Sequence, residues 1–353
     1  MNLATSHSLV FTCGILDTGN GKTAHGLIRG SDRFVVKAIV DKKFAGHDAG
    51  EILDGIKRNI PIVGTVDEAL TMFPDIKNAI VGIAPIGGKL PPELISDLAI
   101  CAEKGMNIIS GLHEYVSDQP GIVQAAAKSG ATITDIRKPK HKSELHFWTG
   151  KIYEVTCPIL AVIGMDCAIG KRSTTRFLLD ECKKAGIKAE MIFTGQTGWM
   201  QSGRYGFIFD STYNDFVSGE LEHAIYTCWK NEKPDILFVE GQSGLRNPSG
   251  PCGSELLISG NSKNVILLVA PKRKYYDDDP AWGKLPGVAS EIELIKMYGS
   301  KVIGIALNTK GCNLEEAKMY QKQMSEELGL PVSIPLEEGL KEVMAAISIL
   351  LNG

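Results

Sequence analysis

The sequence predicts an α/β protein in which two parallel sheets are each covered by helices. Two observations lead to this class. Short apolar runs alternate with longer helix-like runs along the 353 residues, and the alternation stops once, at residues 137–150, before it resumes. Such alternation is typical of βαβ units, which place their strands in parallel. We therefore expect two doubly wound domains, at residues 1–150 and 151–353.

The first domain is expected to be Rossmann-like. Its predicted strands are residues 9–12, 34–40, 61–64, 78–84 and 107–110, and its predicted helices are residues 23–29, 49–56, 66–72 and 93–104. Asp41 ends the second strand, where a dinucleotide-binding domain places the acid that binds ribose. The glycines after the first strand do not have the Gly-x-Gly-x-x-Gly spacing, so the indication of a nicotinamide site is weak.

The second domain repeats the alternation. Its predicted strands are residues 159–163, 190–194, 236–240, 265–270, 301–307 and 331–334, and its predicted helices are residues 176–185, 215–229, 288–297, 314–328 and 340–350. The segment between the domains, residues 137–150, is rich in lysine and arginine and has no periodicity. We interpret it as an ordered crossing that ends the first domain.

Composition limits the classes of partner. The 38 basic and 41 acidic residues give a formal net charge of −3, so no overall field attracts nucleic acid or an anionic membrane. No apolar run reaches about 18 residues, and the start lacks a secretory signal, which favours the cytoplasm. The eight cysteines are scattered without a Cys-x-x-Cys pair, as expected of reduced thiols, and no metal site is predicted.

A phosphate-binding loop is predicted directly after the apolar run 158–163. Residues 164–174 read Gly-Met-Asp-Cys-Ala-Ile-Gly-Lys-Arg-Ser-Thr. Glycine-rich backbone turns its N–H groups toward phosphate oxygens, the following helix adds its N-terminus, and Lys171 adds a point charge. Five residues separate the glycines where four are usual, and Arg172 stands where a magnesium-binding Ser or Thr is usual. These departures favour phosphate binding over hydrolysis.

Four segments at predicted strand ends should meet in one crevice, because the loops at the carboxyl ends of parallel strands bind ligands. They are the phosphate loop and residues 194–198, 240–244 and 308–311. Hydroxyl and amide groups on flexible glycines at 194–198 suit a substrate or phosphate oxygens, with a polar turn as the structural alternative. The residues predicted to bind a coenzyme or nucleotide are Gly164, Gly170, Lys171, Arg172, Ser173, Thr174, Thr194, Gln196, Thr197 and Asn308.

Two carboxylates are the candidates for catalysis. Glu240 ends a strand, where a phosphate-loop fold places a metal ligand or a water-positioning acid, although it could instead cap the following turn. Asp166 lies inside the phosphate loop and would repel phosphate. It is expected to brace the loop, to bind magnesium or to contact a positive substrate group.

Four cationic or titratable side chains are the candidates for substrate binding. Arg246 follows a glycine-flanked loop and could form a forked contact with a carboxylate, and Lys310 lies near another strand end. Lys22 and His25 follow the glycines of the first domain and are expected to face a cleft. Surface solvation is the alternative for Arg246, and a structural role is the alternative for His25.

The chain resembles two known families. Residues 164–171 have the Gly-x-Asp-x-x-x-Gly-Lys layout of dethiobiotin synthetase, and residues 239–244 are similar to its Glu-Gly-x-Gly-Gly segment. Over nearly its whole length the chain is similar to a two-domain bacterial and archaeal family named for D-glutamate N-acetyltransferase. The residues that carry this second resemblance are 22–27, 45–51, 164–174, 194–198 and 215–220.

The second resemblance implies a Rossmann-like first domain, a P-loop NTPase-like second domain and acetyl transfer from acetyl-CoA to the amine of D-glutamate. Coenzyme A carries phosphates but no bond to be hydrolysed there, which would suit a loop with Arg172 in the magnesium position. Two alternatives stay open: a ligase or kinase that uses ATP and magnesium, and a non-catalytic nucleotide- or coenzyme-binding protein. The expected partners are a small-molecule substrate and a phosphate-bearing coenzyme, and a homo-oligomer is left open.

Overall fold

The structure is a computed structural model that describes residues 6–201 and 204–352. It divides the chain into two compact units. The first unit contains the described residues among 1–139 together with residues 196–201, and the second contains residues 140–195 and 204–352. Each unit is built on its own parallel sheet.

The elements of the first half alternate between strand and helix as the sequence predicts. In chain order they are β1 (Ser6–Phe11), α1 (Lys22–Arg29), β2 (Phe34–Val40), α2 (Ala49–Asp54), β3 (Ile62–Val63), α3 (Val66–Met72), β4 (Asn78–Val81), α4 (Pro92–Glu103), β5 (Asn107–Ser110), α5 (Pro120–Ser129) and β6 (Ile133–Asp135). Local capping sets several of the helix starts. Asp48 accepts hydrogen bonds from the N–H groups of Gly50 and Glu51 at the start of α2, and Thr65 accepts one from Glu68 N at the start of α3.

The first sheet has the strand order β3-β2-β1-β4-β5-β6, with every pair parallel. The chain winds outward from β1 to β3, returns to β4 and winds outward in the opposite direction. The neighbouring strands β1 and β4 therefore form the topological switch point, where open α/β sheets bind ligands. Leu9, Val10 and Phe11 in β1 are fully buried, as expected of a central parallel strand.

The second half continues the alternation. Its elements are β7 (Ile159–Gly164), α6 (Lys171–Lys184), β8 (Ala189–Phe193), α7 (Gln196–Gln201), β9 (Tyr205–Gly206), α8 (Asn214–Glu232), β10 (Ile236–Glu240), α9 (Ser254–Ile258), β11 (Asn264–Val269), α10 (Val288–Met297), β12 (Lys301–Leu307), α11 (Leu314–Leu328), β13 (Val332–Ser333) and α12 (Lys341–Asn352). Among the described residues, none of these helices is both long and apolar enough to cross a lipid bilayer.

The second sheet has the strand order β13-β12-β11-β7-β10-β8-β9, again with every pair parallel. From β7 the chain winds to one side through β8, β9 and β10, and from β11 it winds to the other side through β12 and β13. The switch point therefore lies between β7 and β11. Both strands are buried along their whole length, because helices pack on both faces of the sheet.

The basic segment after residue 139 belongs to the second unit, so the boundary lies eleven residues before the expected position at 150. Two buried glutamates of α8 hold this segment. Glu220 accepts hydrogen bonds from Lys140 Nζ at 2.7 Å and from His146 N at 3.0 Å, and Glu222 accepts one from Thr149 N at 2.6 Å. Lys140 and several backbone N–H groups of this segment thus find their partners on one helix.

Candidate functional site

The predicted phosphate loop is a tight turn between β7 and α6. Gly164 ends the strand, and Lys171 begins the helix. Gly170 has a φ of 97°, in the left-handed region that favours glycine, and Ala168 adopts a φ of 50°. Gly170 also accepts the first backbone hydrogen bond of α6, from Thr174 N at 2.9 Å. The turn therefore directs the N-terminus of a fourteen-residue helix toward the carboxyl end of the sheet.

Lys171 is buried inside this loop. Its Nζ donates hydrogen bonds to the carbonyl oxygens of Asp166, at 2.6 Å, and Ser243, at 2.7 Å. Burial lowers the pKa of the Lys171 ammonium, and nearby acidic groups oppose that shift. Two carbonyl oxygens therefore hold the ammonium group in place. The oxygens of a bound phosphate would be stronger acceptors at this position, because they are charged.

The segment after β10 packs directly against the phosphate loop. A Cβ added to Gly241 would lie 2.5 Å from Val162 O, and one added to Gly244 would lie 2.8 Å from Met165 O. Both positions therefore require glycine, because no side chain fits between the two backbones. Ser243, between them, has a φ of 35°, an uncommon conformation for a residue with a side chain.

Glu240 is a buried carboxyl at the end of β10, next to the phosphate-loop strand in the sheet. Its Oε2 accepts a hydrogen bond from Thr194 N at 3.0 Å. Burial raises the pKa of Glu240, while N–H groups of Thr194 and Gly195 and the charges of Arg172 and Lys171 act in the opposite direction. A carboxyl with a raised pKa beside a phosphate loop has the properties of a general base or acid.

Thr194 connects Glu240 to the following turn. Its Oγ1 donates to Glu240 O at 2.7 Å and accepts from Gln242 Nε2 at 2.9 Å. A Cβ on Gly195 would lie 2.8 Å from Gln242 Nε2, so this turn is also closely packed. Thr194 and Glu240 therefore lie together, as the sequence predicts for neighbouring strand ends.

Asp166 is fully buried and forms the centre of a polar network. Its Oδ1 accepts from Asn247 Nδ2 at 2.7 Å, and its Oδ2 accepts from Arg273 Nη1 at 2.7 Å and from Asp277 N at 2.8 Å. Arg273 also donates to Cys167 O at 2.8 Å. Of the three roles considered for Asp166, this geometry favours bracing the loop.

Carboxylate and thiol groups of Asp166, Cys167 and Asp277 lie within 4.8 Å of one another, close enough to share a metal ion. Both oxygens of Asp166 already accept hydrogen bonds from protein groups, so this set fits a metal poorly. Arg273 and Asn247 were missed by the sequence reasoning. Arg273 belongs to the charge run after β11, which was a visible signal at a strand end, whereas nothing in the pattern singles out Asn247.

The two cations predicted to bind substrate in this unit have different surroundings. Arg246 is held by the buried Glu291 of α10, with its Nε 2.7 Å from Oε2, and it also donates to Ser290 Oγ. Lys310 is 75% exposed and has Asp278 at 3.7 Å. Lys310 is therefore the more accessible of the two.

The remaining predicted phosphate ligands of this unit lie around the helix start. Arg172 and Ser173 are half-buried in the first turn of α6, and Thr174 is buried there. Asn308, at the end of β12, faces the loop, since a Cβ on Gly170 would lie 3.6 Å from its Nδ2. The structure thus brings Asn308 to the phosphate loop.

The other predicted site residues belong to the first unit. Gln196 and Thr197 lie in α7, where Gln196 Oε1 accepts from Arg137 Nη2 at 2.9 Å and Thr197 Oγ1 lies 3.2 Å from Thr23 Oγ1. The ring of His25 is 2.6 Å from Leu16 O, and Lys22 is exposed at the start of α1. His25 therefore has the structural contact that was weighed as its alternative role.

Asp41 does not present a free carboxylate. Its Oδ2 accepts from Thr12 Oγ1 and from Gly14 N at 2.9 Å, and its Oδ1 accepts from Lys43 N at 2.9 Å. With 1% of its surface exposed, Asp41 serves to fix the turn after β1. The weak indication of a nicotinamide site gains no support from this geometry.

A cavity of about 520 Å³ opens at the carboxyl ends of β7 and β11, at the switch point of the second sheet. It shares Met165, Asp166 and Ile169 with the phosphate loop. Its size is in the range of small-molecule sites, and its position is the one expected for a ligand in a doubly wound sheet.

Family comparisons agree with this description. Residues 146–344 match a P-loop domain of unknown function called DUF1611_C, and residues 42–139 match a Rossmann-like domain of unknown function called DUF1611_N. The chain belongs to the DUF1611 family. The predicted fold class is confirmed, and so is the resemblance to a two-domain family with a Rossmann-like first domain and a P-loop second domain.

Two relatives of this DUF1611 chain are named D-glutamate N-acetyltransferase. One, from Tritonibacter scottomollicae, is 29% identical over 310 residues, which cover 86% of this chain and 90% of the relative. The other, from a Pseudoalteromonas species, is 28% identical over 279 residues, which cover 76% and 80%. A crystal structure of a DUF1611 family protein from Anabaena variabilis has a TM-score of 0.89 and 28% identity, covering 98% of this chain and 100% of that one.

Proposed function

We propose that this DUF1611 protein is an N-acetyltransferase that moves the acetyl group of acetyl-CoA to the amine of D-glutamate. The observation that carries the proposal is a phosphate loop with Arg172 in place of the usual hydroxyl, beside the buried carboxyl of Glu240. The names of the two relatives favour the same activity. An acetyltransferase has to bind the phosphates of coenzyme A without cleaving them, and such a loop would bind them without a metal.

In the proposed reaction the amine nitrogen attacks the thioester carbonyl carbon, the C–N bond forms, and the C–S bond breaks to release the coenzyme A thiolate. The proton lost by the amine passes to the carboxylate of Glu240, because burial raises the pKa of this carboxyl and makes it a better proton acceptor. Backbone N–H groups at the start of α6, together with Lys171 and Arg172, would hold the coenzyme phosphates. Lys310 is the better placed candidate for a substrate carboxylate because most of its side chain is exposed.

The test is to incubate the purified protein with acetyl-CoA and each enantiomer of glutamate and to measure N-acetylglutamate and free coenzyme A by chromatography. Chromatography is preferable to a thiol reagent, because the eight cysteines of the protein would also react. We expect product with D-glutamate that depends on Lys171 and is retained in Lys301→Ala, a change at the amino end of β12. Absence of product with every acidic amino acid would refute the proposal.

An ATP- and magnesium-dependent ligase or kinase is the second candidate. It is favoured by the position of Glu240 at the end of a strand adjacent to β7, with Ser173 in the first turn of α6. The hydrogen bond from Thr194 to Glu240 Oε2 occupies part of the carboxylate that would bind magnesium. Release of phosphate from ATP in the presence of an acidic amino acid, lost in Lys171→Ala, would favour this candidate over the acetyltransferase.

A further inference from the structure

The cavity between the ends of β7 and β11 has mainly apolar walls. Residues from the phosphate loop, from the end of β11, from the loop that follows it, from the start of α10 and from α11 contribute these walls. The apolar lining residues are Met165, Ile169, Val269, Ala270, Pro271, Leu285, Pro286, Val288 and Met324. Walls of this kind suit a ligand with a substantial apolar body.

The charged groups that line the cavity leave a net positive charge. Asp166 and Arg273 form an ion pair of 2.7 Å, in which Asp166 is fully buried, so their charges compensate. The other two are Lys274 and Lys284, both exposed. Within residues 6–201 and 204–352, neither lysine ammonium has an ion pair or a side-chain hydrogen bond. The adjacent acidic residue Asp278 is already paired with Arg273.

An aromatic side chain stands beside one of these lysines. Tyr275 and Lys284 form an antiparallel bridge, extended by hydrogen bonds from Leu285 N to Lys274 O and from Tyr276 N to Gly283 O. Side chains directly opposite each other in such a pair lie on the same face. The ring of Tyr275 and the ammonium of Lys284 are therefore on one side of this short hairpin, and both residues line the cavity.

A flat apolar group that carries an anionic phosphate matches this combination of walls, aromatic ring and cations. Glutamate matches less well, because its three charged groups would meet mostly apolar walls. The pantetheine arm of coenzyme A matches less well because it has no charge for the lysines. We propose that the cavity binds the adenosine 3′-phosphate end of coenzyme A, with the 3′-phosphate on Lys284, the base near Tyr275 on the same face, and Lys274 adding positive charge to the cavity wall. This inference rests on the proposed function, because it assumes that coenzyme A is the ligand of the adjoining phosphate loop.

The test compares coenzyme A with 3′-dephospho-coenzyme A, which lacks only the phosphate in question, by titration calorimetry. The wild-type protein should bind coenzyme A about 10- to 100-fold more tightly, because the phosphate makes charge-assisted contacts. In the double variant Lys274→Ala/Lys284→Ala this preference should fall to about one, with binding of the dephospho form little changed. Lys301→Ala, at the opposite end of the sheet, is the matched control and should keep the wild-type preference.

Three results would overturn the inference. Equal binding of the two coenzymes by the wild-type protein would show that the 3′-phosphate is not recognised, and acetylation of D-glutamate in the same preparation would leave the proposed function intact. An unchanged preference in the double variant, with a raised KM for D-glutamate, would assign the cavity to the amine substrate. If the wild-type protein binds neither coenzyme, the proposed function fails together with the inference. Melting temperatures of all variants would establish that they are folded.

Discussion

Both sheets are doubly wound, but they differ in chemistry at their central strand ends. After β1, the carboxylate of Asp41 is satisfied by Thr12, Gly14 and Lys43, and Lys22 at the start of the next helix is exposed. The second unit reverses both features. Lys171, at the start of α6, is buried and donates hydrogen bonds to two carbonyl oxygens. Burial raises the pKa of the Glu240 carboxyl.

The topology of a doubly wound sheet thus positions a ligand site but does not determine the chemistry of that site. In the first unit, both carboxylate oxygens of Asp41 accept hydrogen bonds from the neighbouring turns, and these hydrogen bonds stabilise the fold. In the second unit, a cation and an acid are kept in low-dielectric surroundings at a cost in folding free energy, which is characteristic of functional sites. We therefore propose that the chemistry takes place in the second unit, and four experiments test this difference between the two units.

The largest expected effect follows from Glu240→Gln compared with Asp41→Asn. Loss of the proposed base should lower kcat for acetylation by about 10²- to 10⁴-fold, measured by product formation. In the wild-type protein the rate should rise with pH, with a midpoint above the ordinary glutamate value of 4.5, since the base must be ionised and burial raises its pKa. Asp41→Asn should keep the activity and lower the melting temperature. Equal losses of activity in both variants would contradict the proposal that the two carboxyl groups have different roles.

The next effect is on coenzyme binding. Lys171→Ala should cost about 2–5 kcal/mol of binding free energy for acetyl-CoA, because it removes a buried charge that would contact phosphate. Lys22→Ala, its counterpart at the start of α1, should cost less than about 1 kcal/mol, as expected of an exposed charge. Calorimetric titration measures both, with Lys301→Ala as control. A larger loss from Lys22→Ala would move the phosphate site to the first unit.

The third comparison concerns a feature that the two sheets share, a glycine after a strand at a position where no side chain fits. A Cβ on Gly241 would lie 2.5 Å from Val162 O, and one on Gly82 would lie 2.7 Å from Phe11 O, so each sheet needs glycine where a strand end approaches its neighbour. Gly241→Ala and Gly82→Ala should each destabilise the protein by about 1–3 kcal/mol through overpacking. Gly121→Ala, which meets no atom within 4 Å, is the control for thermal unfolding. Unfolding of Gly241→Ala at the wild-type temperature would contradict this account.

The last comparison concerns the segment after residue 139. Burial opposes ionisation of Glu220, but hydrogen bonds from Lys140 and His146 outweigh it and lower its pKa. Its contribution to stability is therefore fully present above the ordinary pKa of 4.5 and is lost as the pH falls through the lowered value. Glu220→Gln should destabilise the protein by about 1–3 kcal/mol at pH 7, and the difference from wild type should shrink below pH 4.5. Glu326→Gln, on the exposed face of α11, should show no such pH-dependent difference in denaturant unfolding.

Much of the fold could be predicted because buried parallel strands have a strong sequence signal. The predicted strand 236–240 and the predicted helices 288–297 and 314–328 coincide with β10, α10 and α11. Short elements with polar or glycine-containing sequences were missed, among them β6 and β9. Helix α7 was not predicted, because residues 194–198 were interpreted as a segment that binds substrate or phosphate, with a polar turn as the alternative. Thr197 and Gly198 are poor helix formers, and tertiary packing overrides that tendency.

The candidate site was predictable only in part, for a physical reason. Glu240 ends a strand, Thr194 follows one directly and Lys171 begins the helix after the loop that follows β7, so the fold dictates that they meet. Arg273 and Asn247 reach Asp166 from longer loops, whose paths depend on contacts that no local pattern reveals. The same limit applies to Arg246, whose partner Glu291 lies 45 residues away on α10.

Helix α7 has a consequence for how the chain is made. Gln201 donates hydrogen bonds to the carbonyl oxygens of Gly26 and Gly30, and Ser31 donates to Met200 O, so the first unit is completed by residues that are synthesised only after β7, α6 and β8. A nascent chain that ends before residue 201 therefore carries an unfinished N-terminal unit. Vectorial folding from the N-terminus, the usual order during translation, has to wait here until residues 140–195 of the following unit have emerged.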